Sequence, residues 1–411
     1  MKNYKYVIIG GGTTAGYAAK EFTEQGIGYG ELCIISDENI LPMNRPPFSK
    51  NYLVDPEQDD EIPVNDRNFY SEHGIEVLTE TITESVDLNK KEVTLESGEI
   101  VRYEKLLIAT GSEVIIPEVE NDHLNQNVFY LRTKTDADQI RKKAKQSKKV
   151  VVAGGSYIGT ETAASLSQMG LKVTMVVPED KLLARFATDE ISNFFVNLFR
   201  EKGIEIIFNE KVVKFEGESN RVNSVVLGSG RSLDTDMVIM GTGVEPAVNI
   251  FRDTDLSINY GIIVNRYLET NIPDVYAAGD VVIFPDIIFD KINHVEHWQN
   301  AFDQGKHAAK VMTGHQEPYI FEPYFFSDIF DLSYEYFGDN ELYTDIKIRG
   351  NLETGDFSVW WFDLNRLVAA FIMGKRPDAE REKAKEWIRN KQSINMHEIS
   401  NGESKLEELL L

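Results

Sequence analysis

Short apolar runs, most of them rich in valine and isoleucine, recur between residues 6 and 241 of the chain. Each run is bounded by glycine or by charged residues, and helix-like segments follow several of them. Runs that are short and uniformly apolar are typical of parallel strands buried on both faces, and the segments between them predict crossover helices. The runs read YVII, LCIIS, KLLIAT, KVVVAGG, KVTMVV and MVIMG. The pattern therefore predicts an α/β fold built from βαβ units.

The pattern changes from about Tyr319 onward. Aromatic residues become dense in PYIFEPYFFSDIFDLSYEYFGD, and the alternating stretches YTDIKIRG, FSVWWFD and RLVAAFIMG follow. Alternation of this kind predicts antiparallel strands with one buried face. AEREKAKEWIRNK then predicts a helix, and SNGESKLEELLL predicts either a short terminal helix or a frayed tail. We expect a C-terminal α+β domain here.

A glycine-rich turn follows the first apolar run, in YVIIGGGTTAGYAAKEF. Gly10 and Gly12 occupy the first two places of the pattern G-x-G-x-x-G/A, and Ala15 occupies the third. The first glycine permits a tight turn, and the second lets backbone N–H groups approach a pyrophosphate at the helix N-terminus. A glycine turn without a ligand is the alternative, and the strand–turn–helix context argues against it.

Acidic residues and two further turns strengthen this interpretation. Asp37 and Glu38 follow the second apolar run, where an acid is expected to hold a ribose hydroxyl. Ala109, Thr110 and Gly111 end the run LLIATG, and Gly279 and Asp280 follow the run VYAA.

A second, weaker glycine loop lies in KVVVAGGSYIGTETAASL. Gly154 and Gly159 fit the pattern, but Ser156 stands where the middle glycine is usual, and its Cβ would crowd a phosphate. The next strand ends at Val177, and Glu179 comes two residues later. If Glu179 meets the adenosine ribose, it favours NADH and repels the extra phosphate of NADPH. A solvated loop acid is the alternative.

Composition excludes several classes of protein. The chain has 411 residues, 43 of them Lys or Arg and 67 Asp or Glu, so its formal charge is −24. This balance argues against a nucleic-acid binder and against docking on an anionic membrane. No apolar stretch is long enough to span a bilayer, and the first residues do not form a signal peptide. With the single cysteine Cys33, no intrachain disulfide can form, and a reduced, cytoplasmic setting is the simplest interpretation.

The motifs GGGTTAG, ATG, GGSYIG and VYAAGD, in this order, resemble those of the two-dinucleotide flavoprotein reductases. The resemblance runs from Tyr6 to about Gly374 and implies FAD in the first Rossmann module and NADH in the second, with NADPH left open. It also implies a split FAD-binding domain at 1–118 and 245–318. The NAD(P)H-binding domain is then expected at 119–244 and the C-terminal α+β domain at 319–411.

One branch of this family carries a cysteine pair beside the flavin, but the corresponding region here, NILPMNRPPFSKNYL, has none. RPPFSK instead resembles the branch of monodehydroascorbate reductases, apoptosis-inducing factor and the reductases of ferredoxin and rubredoxin. The adjacent prolines restrict the backbone. The resemblance implies that Arg45 contacts FAD and that Lys50 pairs with Glu161 beside the flavin N5.

The stretch VEHWQNAFDQGKHAA resembles the family segment that passes over the pyrimidine end of the flavin. A helix N-terminus there would stabilise reduced flavin. The alternative for its tryptophan, and for the phenylalanine of PYFFSD, is a plain core aromatic. On the FAD side the predicted binding residues are Gly10, Gly12, Thr14, Ala15, Asp37, Glu38, Arg45, Lys50, Ala109, Thr110, Gly111, Gly279, Asp280, Glu296, His297, Trp298 and Phe326. On the NAD side they are Gly154, Gly155, Ser156, Tyr157, Ile158, Gly159, Glu161, Glu179 and Gly243.

The resemblance implies hydride transfer from NADH to the flavin N5, with Lys50 and Glu161 as catalytic residues and with no metal. Without a dithiol, the electrons go directly to an external acceptor, one at a time. We consider a small iron–sulfur protein of the ferredoxin or rubredoxin type first. Monodehydroascorbate is an alternative, although the places of its arginine and tyrosine hold Phe302 and Phe326. Further alternatives are a slow NADH-sensing flavoprotein like apoptosis-inducing factor, and a non-enzymatic binding module. A homodimer is left open.

Overall fold

The computed structural model describes residues 2–55, 57, 62–401 and 404–411. The chain divides into two compact units. Unit 1 comprises Met1–Arg45, Asp59–Glu113 and Val244–Phe321, and unit 2 comprises Pro46–Gln58, Val114–Gly243 and Glu322–Leu411. The domain boundaries expected from the sequence stay predictions. In the described ranges, no helix is both long enough and apolar enough to cross a membrane.

The secondary structure follows the apolar pattern of the sequence. The strands are β1 (Lys2–Ile9), β2 (Leu32–Ile35), β3 (Glu76–Leu78), β4 (Thr83–Asp87), β5 (Glu92–Leu95), β6 (Ile100–Ile108), β7 (Ser112–Val114), β8 (Val128–Phe129), β9 (Lys149–Ala153), β10 (Lys172–Val177), β11 (Glu205–Phe208), β12 (Val212–Glu218), β13 (Arg221–Leu227), β14 (Ser232–Asp234), β15 (Met237–Met240), β16 (Val244–Pro246), β17 (Ile262–Ile263), β18 (Val275–Ala277), β19 (Val282–Asp286), β20 (Lys291–Asn293), β21 (Tyr324–Ile329), β22 (Leu332–Gly338), β23 (Asp345–Asn351), β24 (Asp356–Asp363) and β25 (Arg366–Met373). The helices are α1 (Thr13–Glu24), α2 (Asn51–Val54), α3 (Arg67–Glu72), α4 (Lys134–Ala144), α5 (Tyr157–Gln168), α6 (Asp189–Glu201), α7 (Trp298–Met312), α8 (Asp378–Arg389) and α9 (Met396–Ile399), with 3₁₀ turns at Pro46–Ser49, Asn249–Phe251 and Leu406–Glu408.

Unit 1 is organised around a sheet with the strand order β3-β2-β1-β6-β5-β4, and β18 also pairs with β6. The predicted parallel strands are confirmed, since β1 pairs parallel with β2 and β6, and β18 pairs parallel with β6. Their apolar side chains form one buried cluster that includes Cys33. Helices α1 and α7 approach closely, because a Cβ on Gly305 would lie 2.4 Å from the carbonyl oxygen of Thr14. Only glycine permits this packing at that position.

Unit 2 contains a second parallel sheet with the order β11-β10-β9-β15-β8. Strand β9 pairs parallel with β10 and β15, as the runs KVVVA, KVTMVV and MVIM predict. An antiparallel sheet β12-β13-β14 belongs to the same unit. Two Rossmann-like modules are therefore present, one in each unit, and the predicted fold class is confirmed.

The C-terminal part of unit 2 is an antiparallel sheet with the order β21-β22-β25-β24-β23, followed by α8. The predicted antiparallel strands and the helix are confirmed. Arg349 on β23 is almost fully buried and binds Glu380 of α8 at 3.0 Å. Its guanidinium also donates to the carbonyl oxygens of Ile399 and Ser404, at 3.1 and 3.0 Å. One buried cation thus holds the last segment of the chain, which includes the short 3₁₀ turn Leu406–Glu408, against the sheet.

Candidate active site

The turn between β1 and α1 in unit 1 excludes side chains. Gly10 has φ +125°, and a Cβ there would lie 2.1 Å from the carbonyl oxygen of Ala109. Gly12 is different, because its Cβ position meets only the guanidinium of Arg45, and that at 3.8 Å. Among the described residues, no side chain caps α1 at Gly12. A helix N-terminus that is uncapped and faces a guanidinium is suited to bind a phosphate group.

Arg45 forms an ion pair with Glu38, with 2.6 Å between Nη2 and Oε1. Both side chains are largely buried, so the pair holds the guanidinium in one place beside Gly12. Asp37, the other acid predicted to meet a ribose, is exposed. The predicted cofactor contacts of these three residues stay predictions. The structure adds that Glu38 and Arg45 act as a pair.

The turn after β18 lies against α1. A Cβ on Gly279 would lie 2.4 Å from Oγ1 of Thr14, and the Gly279 N–H donates to Oε1 of Gln304 at 2.8 Å. The carboxylate of Asp280 accepts a hydrogen bond from Ser112 at 2.8 Å. Gln304 is fully buried, and in the described part of the chain its Nε2 has no acceptor. Buried donors are usually paired, so this amide is suited to meet a bound group.

The ATG turn follows β6 in the same unit. Thr110 donates from its hydroxyl to the carbonyl oxygen of Ala247 at 2.8 Å. Gly111 has φ +70°, which glycine adopts at little cost, and its carbonyl oxygen accepts from the N–H of Ala247 at 3.0 Å. Ala15 is buried in α1. These residues shape the backbone around the first glycine turn.

Helix α7 begins directly after the VEH stretch. His297 is its N-cap residue and makes no side-chain cap hydrogen bond, as judged over the described residues. Trp298 is half-buried and donates from Nε1 to Oδ1 of Asn44 at 2.7 Å. Glu296 accepts from Nε2 of His294 at 3.0 Å. The expectation that α7 begins in this stretch is confirmed, and its place relative to a flavin stays a prediction.

The second glycine turn, in unit 2, repeats the backbone features of the first. Gly154 has φ +126°, and a Cβ there would lie 2.3 Å from the carbonyl oxygen of Gly241. A Cβ on Gly159 would lie 2.5 Å from the carbonyl oxygen of Gly154. Ser156 is the N-cap of α5 and has φ −90°, yet its hydroxyl makes no cap hydrogen bond among the described residues. The first positions of α5 are Tyr157 and Ile158.

Strand β10 ends at Val177, as the sequence predicts. Gly155 packs against it, since a Cβ there would lie 2.5 Å from Cγ1 of Val177. Glu179 is exposed and two residues further on. Gly243, with φ +91°, accepts from the N–H of Ile115 at 3.0 Å. The predicted contact of Glu179 with an adenosine ribose stays a prediction.

Lys50 and Glu161 meet in unit 2, with 3.5 Å between Nζ and Oε1. Glu161 is buried and also accepts hydrogen bonds from the hydroxyls of Ser49 and Ser327, the latter at 2.5 Å. Lys50 has a second carboxylate partner, Asp328, at 3.2 Å. The expected Lys50–Glu161 pair is therefore present.

Phe326 lies beside this ion pair and is 37% exposed, so it is not a core aromatic. The Lys50 amine lies 5.1 Å from the centre of its ring. Tyr157 instead packs into a neighbouring aromatic group, with its ring 5.8 Å from Phe186 and 4.7 Å from Phe325. Burial raises the pKa of Tyr157, which keeps its hydroxyl neutral.

Several residues of these sites were missed by the sequence analysis. They are Ser49, Ser112, Gln304, Ser327 and Asp328. Signals existed for three of them, because Ser49 precedes Lys50 within RPPFSK and the other two follow Phe326 in FFSD. In the described ranges, no group of His, Cys, Asp and Glu side chains is arranged to hold a metal ion.

The family model for pyridine nucleotide-disulphide oxidoreductases matches residues 4–305, and the model for a reductase C-terminal domain matches residues 324–410. The chain belongs to the pyridine nucleotide-disulphide oxidoreductase family. It is therefore an FAD-dependent NAD(P)H oxidoreductase. The residues present fit FAD, because unit 1 presents a helix N-terminus without a side-chain cap, an open Gly12 position facing Arg45, and the buried Nε2 of Gln304, which has no acceptor among the described residues.

Curated relatives and solved structures extend over nearly the whole chain. Monodehydroascorbate reductase of Pisum sativum is 38% identical over 410 residues, covering 94% of each chain. That of Solanum lycopersicum is 36% identical, covering 93% of this chain and 94% of its own. A ferredoxin reductase from Rhodopseudomonas palustris has a TM-score of 0.92 and 29% identity, covering 98% of this chain and 99% of its own. Putidaredoxin reductase, in a covalent complex with putidaredoxin, has a TM-score of 0.93 and 27% identity, covering 99% and 98%.

Proposed function

We propose that this reductase takes hydride from NADH and passes electrons, one at a time, to a small electron-carrier protein of the ferredoxin or rubredoxin type. Bound FAD supplies the conversion between a two-electron donor and a one-electron acceptor. The observation that carries the proposal is the lack of a sulfur relay. The only cysteine of the chain, Cys33, is buried in β2, and burial raises the pKa of its thiol to about 12.

The residues of unit 1 would hold FAD. The N-terminus of α1 would bind its pyrophosphate, with Arg45 supplying a positive charge that Glu38 keeps in place. Asp280 would accept a hydrogen bond from a hydroxyl of the ribityl chain, while Ser112 orients its carboxylate. The N-terminus of α7 would lie near the pyrimidine end and favour negative charge there.

The residues of unit 2 would bind NADH and set the charge near the flavin. The N-terminus of α5 would bind the pyrophosphate of NADH. Glu179 would accept hydrogen bonds from the ribose hydroxyls and disfavour NADPH. Lys50 would lie beside the flavin N5, held by the buried carboxylate of Glu161. Because Glu161 is itself fixed by Ser49 and Ser327, the ammonium group has little freedom to move.

The choice of a carrier protein is supported by the solved structures, among which a reductase of Clostridium acetobutylicum is named for rubredoxin and one is joined to putidaredoxin. Monodehydroascorbate reduction is the second candidate, and the curated relatives favour it. Against it, the places expected to hold an arginine and a tyrosine hold Phe302 and Phe326. Phe302 stacks on Trp298 at 5.4 Å in α7, so it presents no charge to an anionic radical.

A slow NADH-sensing flavoprotein would use the same hydride transfer, and the rate of turnover distinguishes such a sensor from a reductase of carrier proteins. We propose a cytoplasmic setting, in keeping with the single buried thiol, and leave open a homodimer.

The test compares steady-state NADH oxidation by the FAD-loaded enzyme with oxidised ferredoxin, rubredoxin and monodehydroascorbate as acceptors. Turnover that is at least about tenfold faster with a carrier protein than with monodehydroascorbate supports the proposal. A tenfold difference in rate corresponds to about 1.4 kcal/mol in activation free energy. Faster turnover with monodehydroascorbate, or slow turnover with every acceptor, refutes it.

A further inference from the structure

Asp328 is the most exposed charged partner of the Lys50 site. It lies on β21, and the side chain is 48% exposed while that of Lys50 is 11% exposed. Its Oδ2 lies 3.2 Å from the Lys50 amine, and its Oδ1 accepts a hydrogen bond from Ser333 at 2.6 Å. Ser333 is its directly opposite neighbour in the β21–β22 pair. Two contacts from different segments, Lys50 before α2 and Ser333 on β22, therefore hold the carboxylate beside the amine.

The local charge of this cluster is negative. Lys50 brings one positive charge, and Glu161 and Asp328 each bring a negative one. Glu161 is buried, so the carboxylate that faces solvent is that of Asp328. Glu335, which lies opposite Phe326 in the strand pair, is compensated because it pairs with Arg381.

We propose that Asp328 determines the charge preference for the electron acceptor of this reductase, by shielding Lys50 and disfavouring anions. The inference rests on the proposed function, in which Lys50 and Phe326 lie beside the flavin. Phe326 and Asp328 are two residues apart on β21 and share its exposed face, while the Lys50 side chain is only 11% exposed. An anion that approaches the ring of Phe326 would therefore meet the carboxylate of Asp328 before the amine of Lys50. Acceptors that are neutral or cationic at the point of contact are favoured.

This preference separates the two candidate acceptors. Monodehydroascorbate is a small anion, and it has no group to compensate the carboxylate. A carrier protein can place a lysine or an arginine opposite Asp328, whatever the charge of the rest of its surface. Asp328 is thus a specificity-determining residue that fits a protein partner with a basic contact residue.

The test uses small acceptors of different charge with the FAD-loaded enzyme at saturating NADH. The acceptors are ferricyanide as the anion, a benzoquinone as the neutral compound and hexaammineruthenium(III) as the cation. In Asp328→Asn we expect kcat/KM to rise about three- to tenfold for ferricyanide and to fall by a similar factor for hexaammineruthenium(III), with the quinone unchanged. Asp328→Glu keeps the charge and should keep the wild-type pattern.

Asp331→Asn is the matched control, because this exposed acid lies in the β21–β22 turn and its loss changes the net charge equally. We expect it to alter each kcat/KM less than about twofold. Rapid-mixing measurement of flavin reduction by NADH shows whether either substitution acts on the NADH step instead. If Asp328→Asn does not fold, Asp328→Ser removes the same charge with a smaller side chain.

A second readout requires no turnover. Iodide and caesium ions quench flavin fluorescence on contact, so their ratio reports local charge, and Asp328→Asn should raise quenching by iodide relative to caesium. An unchanged ratio of ferricyanide to hexaammineruthenium(III) rates, or an equal change in Asp331→Asn, overturns the inference. If the wild-type chain binds no FAD or does not oxidise NADH, the proposed function itself fails, which is a different outcome.

Discussion

Lys50 and Glu161 form an ion pair at 3.5 Å, although one comes from the RPPFSK stretch and the other from the first turns of α5. The pair is anchored, because Ser49 and Ser327 both donate to the glutamate. Ser165 of α5 also donates to the carbonyl oxygen of Ser49 at 2.7 Å. The proline-rich stretch is therefore joined to α5 by backbone and side chain together, and the amine is held in position by several independent contacts.

Replacing Lys50 by alanine should slow flavin reduction by NADH about 10- to 100-fold, since the fixed charge that we propose beside the flavin N5 is lost. FAD should remain partly bound, because the predicted phosphate contacts lie elsewhere in the chain. Rapid-mixing absorbance at the flavin band measures the rate. Lys142→Ala, which removes an exposed lysine of α4, is the control and should reduce at the wild-type rate. An unchanged rate in the Lys50 variant would show that another residue lies beside the flavin.

Arg45→Ala should weaken FAD binding by about tenfold or more, because a charge-assisted hydrogen bond contributes about 1.5–3 kcal/mol. Titration of the apoprotein with FAD, followed by flavin fluorescence, measures the dissociation constant. Arg102→Ala in the same unit removes an arginine that is 48% exposed and pairs with Glu92. It should bind FAD normally. Equal affinities for the two variants would exclude Arg45 as a phosphate contact.

Glu179→Gln should raise kcat/KM for NADPH relative to NADH about fivefold, because the carboxylate that we propose to repel the extra phosphate is neutralised. The rate with NADH should fall or stay constant. Steady-state assays with a common acceptor give the ratio. Asp180→Asn tests whether position matters, since this exposed neighbour carries the same charge. If both variants shift the ratio equally, Glu179 is a solvated loop acid.

Arg349→Met should lower the free energy of unfolding of unit 2 by about 1.5–3 kcal/mol, because Glu380 loses a charged hydrogen-bond donor and keeps Arg376 as its cationic partner. The carbonyl oxygens of Ile399 and Ser404 would also lose their donor. Urea unfolding, followed by tryptophan fluorescence, measures the change. Arg389→Met removes an arginine that is 59% exposed in its pair with Glu322, and should cost less than about 1 kcal/mol. Similar losses of unfolding free energy in the two variants would show that the burial of Arg349 does not make its ion pair more important for stability.

His294 should make stability depend on pH near neutrality. Burial lowers its pKa, but the hydrogen bond with Glu296 and the contact with the carbonyl oxygen of Val282 outweigh it, so the pKa is raised above 6.5. Its stabilising contribution is fully present below the unfolded pKa and is lost as the pH rises through the folded pKa.

His294→Gln should therefore flatten the fall of the thermal midpoint between about pH 6 and pH 8. His123→Gln, which replaces an exposed histidine, should leave the slope as it is in the wild type. A wild-type midpoint that rises with pH over this range, with the rise abolished in His294→Gln, would contradict the direction of the shift.

Most of the secondary structure and the type of cofactor site could be read from local patterns. The runs YVII and KVVVA predict buried strands because only apolar residues tolerate a sheet covered on both faces, and Gly10 and Gly154 predict the turns because φ values of +125° and +126° exclude other residues. The pairing of Lys50 with Glu161 was expected only from the resemblance to the family motifs. The two residues are far apart in sequence, so no local pattern predicts that they pair.

Contacts that depend on how distant segments pack were decided by the tertiary structure. Ser327 contacts Glu161, and Asp328 contacts Lys50, because β21 lies beside α5. The amino-acid pattern of a strand does not predict which distant segments pack against it. Glu38 and Arg45 are close in sequence, but the loop between them must fold back over the first glycine turn before the two side chains can meet. The conformational preference of the backbone depends on a few neighbouring residues, so it can be predicted from the sequence. The charge around the Lys50 amine is a sum over side chains from three separate segments, and only the folded chain brings them within a few ångströms of one another.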